Sequence, residues 1–190
     1  MDYRSDTNSI WTIPNALSLF RVVLAALFAV IFWRAQTQTD YYRAVGVLAL
    51  SGLTDFADGK IARHFHMVSE LGKILDPIAD KLTQAVVALC LCWNYPVMKL
   101  LLAVLVVKEL SQGFYGLYMY RLTGRHYSSL LCGKVTTFYL YAMMILFLLT
   151  SSLPETLTSV LILLGAALLL YSFLRYIREF RKIVREAKEQ

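Results

Sequence analysis

The stretch DFADGKIARHFHMVSELGKILDPIAD, residues Asp55 to Asp80, decides the fold because it places four carboxylates between two apolar segments. Asp55 and Asp58 lie three residues apart at the end of one apolar segment, and Asp76 and Asp80 lie four apart at the start of the next. On helices, each of these spacings puts both side chains on one face. The sequence therefore predicts two neighbouring helices whose acidic faces lie side by side.

This concentration of charge requires a compensating cation. Four carboxylates at a membrane boundary repel one another, and on insertion scales each would cost about 2 to 3 kcal/mol if it sat deep in the bilayer. Bound divalent metal is the simplest candidate, and an all-oxygen ligand set favours magnesium or manganese. We predict two ions, held by shared carboxylates, that would clamp a pyrophosphate-bearing substrate.

The composition is that of an integral membrane protein. The 190 residues are 58% hydrophobic and 17% charged, and the mean hydropathy is positive. This length accommodates about six membrane helices of about 20 residues each. The net charge is +6, but the basic residues gather in connecting segments and in the C-terminal tail. Membrane lipids with anionic headgroups are therefore the expected partners, and nucleic acid is not expected.

The hydropathy pattern predicts an all-α integral membrane protein with six transmembrane helices, forming a single domain over residues 1–190. An interfacial segment, 1–13, precedes the helices, and a basic tail, 177–190, follows them. This tail either lies along the membrane surface or extends the sixth helix. Asn94, Tyr95 and Pro96 mark a tight turn. The six spans are expected at about residues 13–33, 41–60, 71–93, 97–120, 129–151 and 155–176.

The basic residues near the helix ends set the orientation. The poorer side carries only Arg34, Arg43 and Lys99. The richer side carries Arg4, Lys60, Arg63, Lys73, Arg121, Arg125, Lys134, Arg175, Arg178, Arg181, Lys182, Arg185 and Lys188. Both termini and the four aspartates are therefore expected on the cytosolic side, in a bacterial plasma membrane.

Small and basic residues inside the central stretch suit a phosphate ligand. Gly59 removes a side chain next to Asp58, which would let a ligand approach the backbone closely, and Ala62 is small for the same reason. Arg63 offers a fork of donors to a phosphate. Gly72 would let the second and third helices come close. We predict that these four positions help to bind the pyrophosphate-bearing substrate.

Read with its spacing, the stretch resembles the signature of the CDP-alcohol phosphatidyltransferases, DxxDGxxAR followed by GxxxDxxxD, and every defining position is present. The resemblance implies that Asp55, Asp58 and Asp76 are metal ligands. Asp80 would lie near the metals and act as the general base for the acceptor alcohol. That alcohol would attack the β-phosphorus of CDP-diacylglycerol directly, and CMP would leave. The resemblance also implies a homodimer.

A second resemblance bears on the acceptor. The sequence PNALSLFR, residues 14–21, is similar to the PNxLTxxR of family members that form phosphatidylglycerophosphate, with Ser18 in place of threonine. It implies that Asn15 touches the nucleotide or a phosphate and that glycerol 3-phosphate is the acceptor. Phosphatidylglycerol, as in a cardiolipin synthase, serine and inositol phosphate are the alternatives. Arg21 lies about 9 Å deeper than Asn15 along the helix, where it binds the acceptor or bridges to another helix.

Further basic residues are candidates for binding a phosphorylated acceptor. Lys108 and Glu109 interrupt the fourth span at mid-depth, and because adjacent residues point away from each other on a helix, we expect that they do not simply pair. Lys108 would then be available to an acceptor phosphate. Arg121, Arg125 and Lys134 cluster near the connection between the fourth and fifth spans. They would attract such an acceptor or merely set the topology.

Three other interpretations of the aspartates remain open. They could pair with Lys60, Arg63, Lys73 and Lys81 to join the helix ends, although surface ion pairs contribute little and do not require glycines at fixed positions. An intramembrane prenyltransferase also binds pyrophosphate through magnesium, but it releases pyrophosphate rather than CMP. A cation carrier would use the aspartates as its ion site, and it predicts metal flux across sealed vesicles.

Overall fold

The structure is a computed structural model that describes residues 13–64, 70–123, 131–150 and 153–188. Within these ranges it does not describe the side chains of residues 13, 14, 56–64, 70–74, 119, 120, 122, 123, 183 and 186–188. The described residues form six helices and contain no strand, which confirms the predicted all-α class and the number of helices. These are α1 (Ile13–Arg34), α2 (Gln38–His64), α3 (Glu70–Asn94), α4 (Met98–Thr123), α5 (Leu131–Leu149) and α6 (Glu155–Lys188).

Four stretches of the described helices are long and apolar enough to cross a membrane. They are Asn15–Arg34, Met98–Tyr118, Leu131–Leu149 and Glu155–Lys182. The outward faces of these helices carry many exposed large apolar side chains, as lipid contact requires. The helices α2 and α3 carry the four aspartates. Their described residues do not form a stretch long and apolar enough to meet the same criterion. Their crossing of the membrane, and hence the count of six spans, stays a prediction.

The connection before α2 and the connection after α3 follow ordinary capping and turn chemistry. Thr37 precedes the first turn of α2, and its hydroxyl and backbone N–H both donate to the Asp40 carboxylate, at 2.8 and 3.1 Å. This is a capping-box arrangement, in which the third residue of the helix satisfies a backbone donor at the cap. The predicted tight turn after α3 is confirmed, since the N–H of Met98 donates to the carbonyl of Tyr95 at 2.9 Å.

The sixth helix runs past the predicted end of its membrane span, near Tyr176, and into the basic tail. Helix α6 continues without a break to Lys188 and is 34 residues long. Arginine, lysine and glutamate are good helix formers, and the tail contains no glycine or proline that would stop the helix. Phe180, inside the tail, packs against Tyr115 of α4, with their ring centroids 4.6 Å apart. The described part of the tail therefore extends the sixth helix.

The chain divides into two compact units, Met1–Cys90 and Leu91–Gln190. In the first unit α1 packs against α2. Phe32 near the end of α1 lies edge-on to Tyr41 near the start of α2, with ring centroids 5.6 Å apart, so the two helices are antiparallel. Phe28 and Ala44 are fully buried. This apolar packing fixes α1 and α2 relative to each other on the side away from the aspartates.

In the second unit α6 packs against both α4 and α5. Gly165 of α6 is buried where the three helices meet. A Cβ atom built there would lie 3.0 Å from Leu101 of α4, 3.1 Å from Leu140 of α5 and 3.3 Å from Tyr139 of α5. A small residue at this position lets the helices approach closely, which is how membrane helices gain packing energy.

Candidate active site

The buried face of α1 carries polar residues near its start. Asn15, Ser18 and Arg21 are 7%, 0% and 2% exposed, while Leu19, Phe20 and Val23 around them are exposed. The spacing of three residues places the polar side chains on one face of the helix. A helix that hides its polar residues and exposes its apolar ones suits a protein surrounded by lipid. The polar face must then meet polar groups of other helices.

Arg21 meets the first of the four aspartates. Its Nη1 lies 2.6 Å from Asp55 Oδ1 of α2. The arginine side chain is 2% exposed, whereas the aspartate side chain is 55% exposed. Of the two roles predicted for Arg21, the structure contains the bridge to another helix. The ion pair holds the Asp55 carboxylate at the interface between α1 and α2, and acceptor binding by Arg21 stays a prediction.

Ser18 meets the third aspartate, since its hydroxyl donates a hydrogen bond to Asp76 Oδ1 of α3. This hydrogen bond links the first half of α3 to α1, although 58 residues separate the two partners in the sequence. In the sequence motif, Ser18 was notable only as a substitute for threonine. Its spacing of three from both Asn15 and Arg21 was the signal that could have found it.

The carboxylates of the two helices come together. Asp76 and Asp80 of α3 both lie near enough to Asp55 of α2 to act on it electrostatically. We call Asp55, Asp76 and Asp80 the aspartate cluster. Asp76 and Asp80 are partly exposed and Asp55 is exposed, so a ligand can reach all three. Asp55 of α2 therefore lies near the acidic face predicted for α3.

The chemistry of the cluster fits a hard divalent cation. Carboxylates are the oxygen ligands that magnesium and manganese prefer, and like charges gathered from two helices lower their repulsion by sharing a cation. Among the described residues, no three His, Cys, Asp or Glu side chains already form a metal-binding group. Asp58, the fourth predicted ligand, lies in α2, but its side chain is outside the described set.

The remaining predicted residues of the central motif lie in that same undescribed region. Gly59, Ala62 and Arg63 belong to the last two turns of α2, and Gly72 belongs to the first turn of α3. Their side-chain surroundings lie outside the described residues, so their roles stay predictions. Asn15 is described, and its burial near the start of α1 places it on the face that carries Ser18 and Arg21.

Deeper along α3 lie two buried polar residues that were not predicted from the sequence. Thr83 and Gln84 are 3% and 1% exposed. The Thr83 hydroxyl donates to the backbone carbonyl of Ala79 at 2.9 Å, an ordinary contact within a helix. Gln84 follows Asp80 by four residues and Asp76 by eight, so the spacing itself was a signal for a polar stripe.

The expectation that Lys108 and Glu109 do not pair is wrong. Lys108 Nζ donates to Glu109 Oε1 at 2.6 Å, and the two side chains are 4% and 19% exposed. Adjacent residues point in different directions only at Cβ, and the four-carbon stem of lysine is long enough to fold back. Lys108 also lies over the ring of Tyr176 in α6, 5.9 Å from its centroid. Its charge is therefore already balanced within the second unit.

The other basic candidates lie on the same unit, at the ends of its helices. Arg121 is in the last turn of α4 and Lys134 is in the first turn of α5, and both side chains are exposed. Beside Lys134, Gly133 is buried against the Tyr176 side chain, whose hydroxyl lies 3.0 Å from the position of an added Cβ. Arg125 lies outside the described residues. Acceptor binding by these side chains stays a prediction.

Most of the chain matches one known protein family. A sequence model of the CDP-alcohol phosphatidyltransferases matches residues 11–171, which include α1 to α5 and the first half of α6. The chain belongs to the CDP-alcohol phosphatidyltransferase family. The family resemblance stated from the motif is thus confirmed, and the roles of the individual aspartates stay predictions.

Curated relatives in the CDP-alcohol phosphatidyltransferase family carry two names. The chain is similar to a cardiolipin synthase (CMP-forming) of Streptomyces coelicolor, with 38% identity over 109 residues, 56% of this chain and 50% of the relative. It is similar to the human cardiolipin synthase (CMP-forming), with 47% identity over 73 residues, 38% of this chain and 23% of the relative. It is also similar to a CDP-diacylglycerol–glycerol-3-phosphate 3-phosphatidyltransferase of Wigglesworthia glossinidia brevipalpis, with 35% identity over 83 residues, 44% of each.

Each of these matches spans half or less of the relative's own length. They support the transferase class, a role in phospholipid synthesis and a membrane setting. They divide between two acceptors, because one printed name specifies glycerol 3-phosphate and the others name cardiolipin synthesis.

Proposed function

We propose that this protein transfers a phosphatidyl group from CDP-diacylglycerol to a hydroxyl of a glycerol-containing acceptor and releases CMP. The observation that carries the proposal is the meeting of Asp55 from α2 with Asp76 and Asp80 from α3 in the first unit. Family membership supports the reaction class. The membership also favours this proposal over the prenyltransferase and cation-carrier interpretations.

Charge balance dictates how the donor binds. The aspartate cluster and the donor's pyrophosphate are both negative, so they cannot associate without cations between them. Asp55, Asp58 and Asp76 would hold two magnesium or manganese ions, with Asp80 close to them. When bound, such ions neutralise the pyrophosphate and the charge that develops during phosphoryl transfer. Arg21 holds Asp55 in place through the 2.6 Å ion pair, and Ser18 holds Asp76 by its hydrogen bond.

Asp80 is proposed as the general base. Its carboxylate accepts the proton of the acceptor hydroxyl, and the oxygen attacks the β-phosphorus of CDP-diacylglycerol. The new phosphorus–oxygen bond forms while the bond from that phosphorus to the oxygen bridging to CMP breaks. CMP leaves with the electron pair of that bond. The acceptor attacks directly, so no covalent intermediate with the enzyme is formed.

The nucleotide half of the donor is assigned to the ends of α1, α2 and α3 near the cluster. Asn15 is proposed to contact the nucleotide or a phosphate. Gly59 and Ala62 would allow close approach of the pyrophosphate, and Arg63 would bind it through its guanidinium group. Gly72 would let α2 and α3 approach closely.

Glycerol 3-phosphate is the first candidate acceptor, giving phosphatidylglycerophosphate. The proposal is supported by PNALSLFR at the start of α1 and by the printed name of the Wigglesworthia relative. Arg21, Lys108, Arg121, Arg125 and Lys134 are the predicted acceptor-binding residues. Because Lys108 is already paired with Glu109, it is a weaker candidate for phosphate than the exposed Arg121 and Lys134.

Phosphatidylglycerol is the second candidate, with cardiolipin as the product. The names of the Streptomyces and human relatives favour it. Both acceptors present a glycerol hydroxyl close to a phosphate, so the same base and donor site would serve either one. Serine and inositol phosphate are less well supported, since no relative described above is named for them.

The topology is part of the proposal. Six spanning helices, both termini in the cytosol and a homodimer follow from the distribution of basic residues and from family resemblance. Of these helices, four reach the length and apolarity of a span in the described residues. A bacterial plasma membrane, with the aspartates at its cytosolic face, is the proposed location.

A panel of acceptors tests the proposal. The full chain in detergent is incubated with CDP-diacylglycerol and with glycerol 3-phosphate, phosphatidylglycerol, serine or inositol phosphate, each with magnesium and with a chelator. We expect CMP release only with magnesium, and most strongly with one glycerol-containing acceptor. The proposed function is overturned if no acceptor gives CMP. Metal flux into sealed vesicles would then favour the cation carrier, and release of pyrophosphate from a prenyl substrate would favour the prenyltransferase.

A further inference from the structure

Gln84 of α3 is buried without satisfying its amide. The side chain is 1% exposed, and neither Oε1 nor Nε2 has a hydrogen-bond partner among the described residues. Burying such a group without a partner carries a desolvation penalty. A leucine of similar volume would not carry it, so packing alone does not explain a glutamine at this position.

Its place on the helix links Gln84 to the aspartate cluster. The residues Asp76, Asp80 and Gln84 follow one another at intervals of four and therefore share a face of α3. At 1.5 Å per residue, Gln84 lies about 6 Å beyond Asp80 along the helix axis. Beyond it on α3 the buried residues are apolar, including Val87 and Leu91. Gln84 thus stands between the acidic end of the site and an apolar interior.

We propose that Gln84 is a positioning residue for the lipid donor, whose amide N–H group donates to an ester carbonyl of the diacylglycerol moiety. This rests on the proposed function, which places the donor's pyrophosphate at the aspartate cluster. In a phospholipid the ester carbonyls lie a few atoms beyond the phosphate, on the side of the acyl chains. In the proposed topology, the step of about 6 Å from Asp80 to Gln84 leads away from the cytosolic face and so runs in that same direction.

The chemistry of the side chain suits this ligand. An uncharged amide offers two N–H donors to a carbonyl oxygen, and it adds no charge that would compete with the pyrophosphate for cations. The buried Gln84 amide would gain a hydrogen-bond partner when the lipid donor binds. The hydrogen bond would therefore orient the lipid so that its β-phosphorus faces the acceptor hydroxyl.

A comparison of two donors tests the proposal. CDP-diacylglycerol carries ester carbonyls, whereas CDP-dialkylglycerol carries ether oxygens and lacks them. We expect the unaltered protein to prefer the ester donor by about 2- to 10-fold in kcat/KM, the contribution of one neutral hydrogen bond. The variants Gln84→Leu and Gln84→Met should lose that preference and keep an unfolding temperature at least as high as that of the unaltered protein.

The matched control is Thr83→Val, which removes a neighbouring buried hydroxyl that is satisfied within its own helix. This variant should keep the preference for the ester donor. The proposal is overturned if the Gln84 variants retain the preference, or if the unaltered protein shows none. A rise in KM for the acceptor with the ester preference intact would also overturn it and assign Gln84 to the acceptor. If no CMP is released from either donor, the proposed function itself fails.

Discussion

Arg21 joins α1 to Asp55, the member of the aspartate cluster that α2 carries, with 2.6 Å between Nη1 and Oδ1. The two side chains differ sharply in exposure, at 2% and 55%. The loss of folding stability on removing one partner depends on whether water can hydrate the charge that remains. A carboxylate that is more than half exposed can be hydrated again when its cation is removed. A guanidinium group shielded from water cannot.

We therefore predict that Asp55→Asn lowers the unfolding temperature more than Arg21→Met does, with both measured in chelator to exclude metal effects. Stranding a buried charge typically costs about 3–5 kcal/mol, and the arginine substitution should cost clearly less. Equal shifts, or a larger shift for Arg21→Met, would contradict the asymmetry. Circular dichroism of the detergent-solubilised protein measures both variants under one condition.

Asp80→Asn separates the proton transfer from folding. The amide keeps the size of the carboxyl group but cannot accept the proton of the acceptor hydroxyl. We expect CMP release to fall by about 10²- to 10⁴-fold, while the unfolding temperature changes by less than about 4 °C and the stabilisation by magnesium persists. A variant with near-normal turnover would remove Asp80 from the role of base.

Gly165→Ala tests the junction of α4, α5 and α6. The added methyl group would lie within 3.0 to 3.3 Å of three side chains on two neighbouring helices, and such overpacking typically costs about 1–3 kcal/mol. The unfolding temperature should fall. Gly113→Ala in α4 is the control, because nothing lies within 4 Å of its added Cβ and alanine favours the helix by up to about 1 kcal/mol. A rise in both variants would show that the junction has room.

Asp40 gives a prediction for pH. Donation from the Thr37 hydroxyl, and then from the backbone N–H groups of Gln36 and Thr37, holds the pKa of its carboxyl below the ordinary value, and Arg43 adds to this. A lowered pKa contributes stability that is present above the unfolded-state pKa, about 3.9, and is lost as the pH falls through the folded-state pKa.

Asp40→Asn should therefore lower the unfolding temperature at neutral pH, and the difference from the unaltered protein should shrink as the pH falls below about 4. The measurement is a pair of thermal melts at each pH. Because these contacts lie at the protein surface, the shift should be small. If the difference in unfolding temperature stays constant below about pH 4, the charge of the Asp40 carboxylate does not stabilise the start of α2.

Much of this arrangement follows from spacing alone. The intervals of three and four between aspartates predicted two helices with acidic faces on the same side, and Asp55 does interact with Asp76 and Asp80. Helical spacing is a local property, and a motif of 26 residues contains it whole. The side chain of Asp58, and with it the complete ligand set, lies beyond what the described residues can test.

The contacts that spacing could not predict depend on flexible side chains or on distant partners. Lys108 reaches Glu109 because its stem bends back, which a rule based on Cβ directions does not capture. The bond from Ser18 to Asp76 joins residues 58 positions apart, so only tertiary packing reveals it. The unbroken extension of α6 was left open because helix propensity and membrane-surface amphipathicity favoured different outcomes for the same basic sequence.

That long final helix has a mechanical consequence. At 1.5 Å per residue its 34 residues reach about 51 Å, which exceeds the hydrocarbon thickness of a bilayer, about 30 Å. A straight rod of this length must stand well clear of the lipid tails, with its arginines and lysines at the emerging end. Electrostatic attraction between anionic headgroups and those charges would therefore act, through the continuous helix, on the packing of α4, α5 and α6 at Gly165.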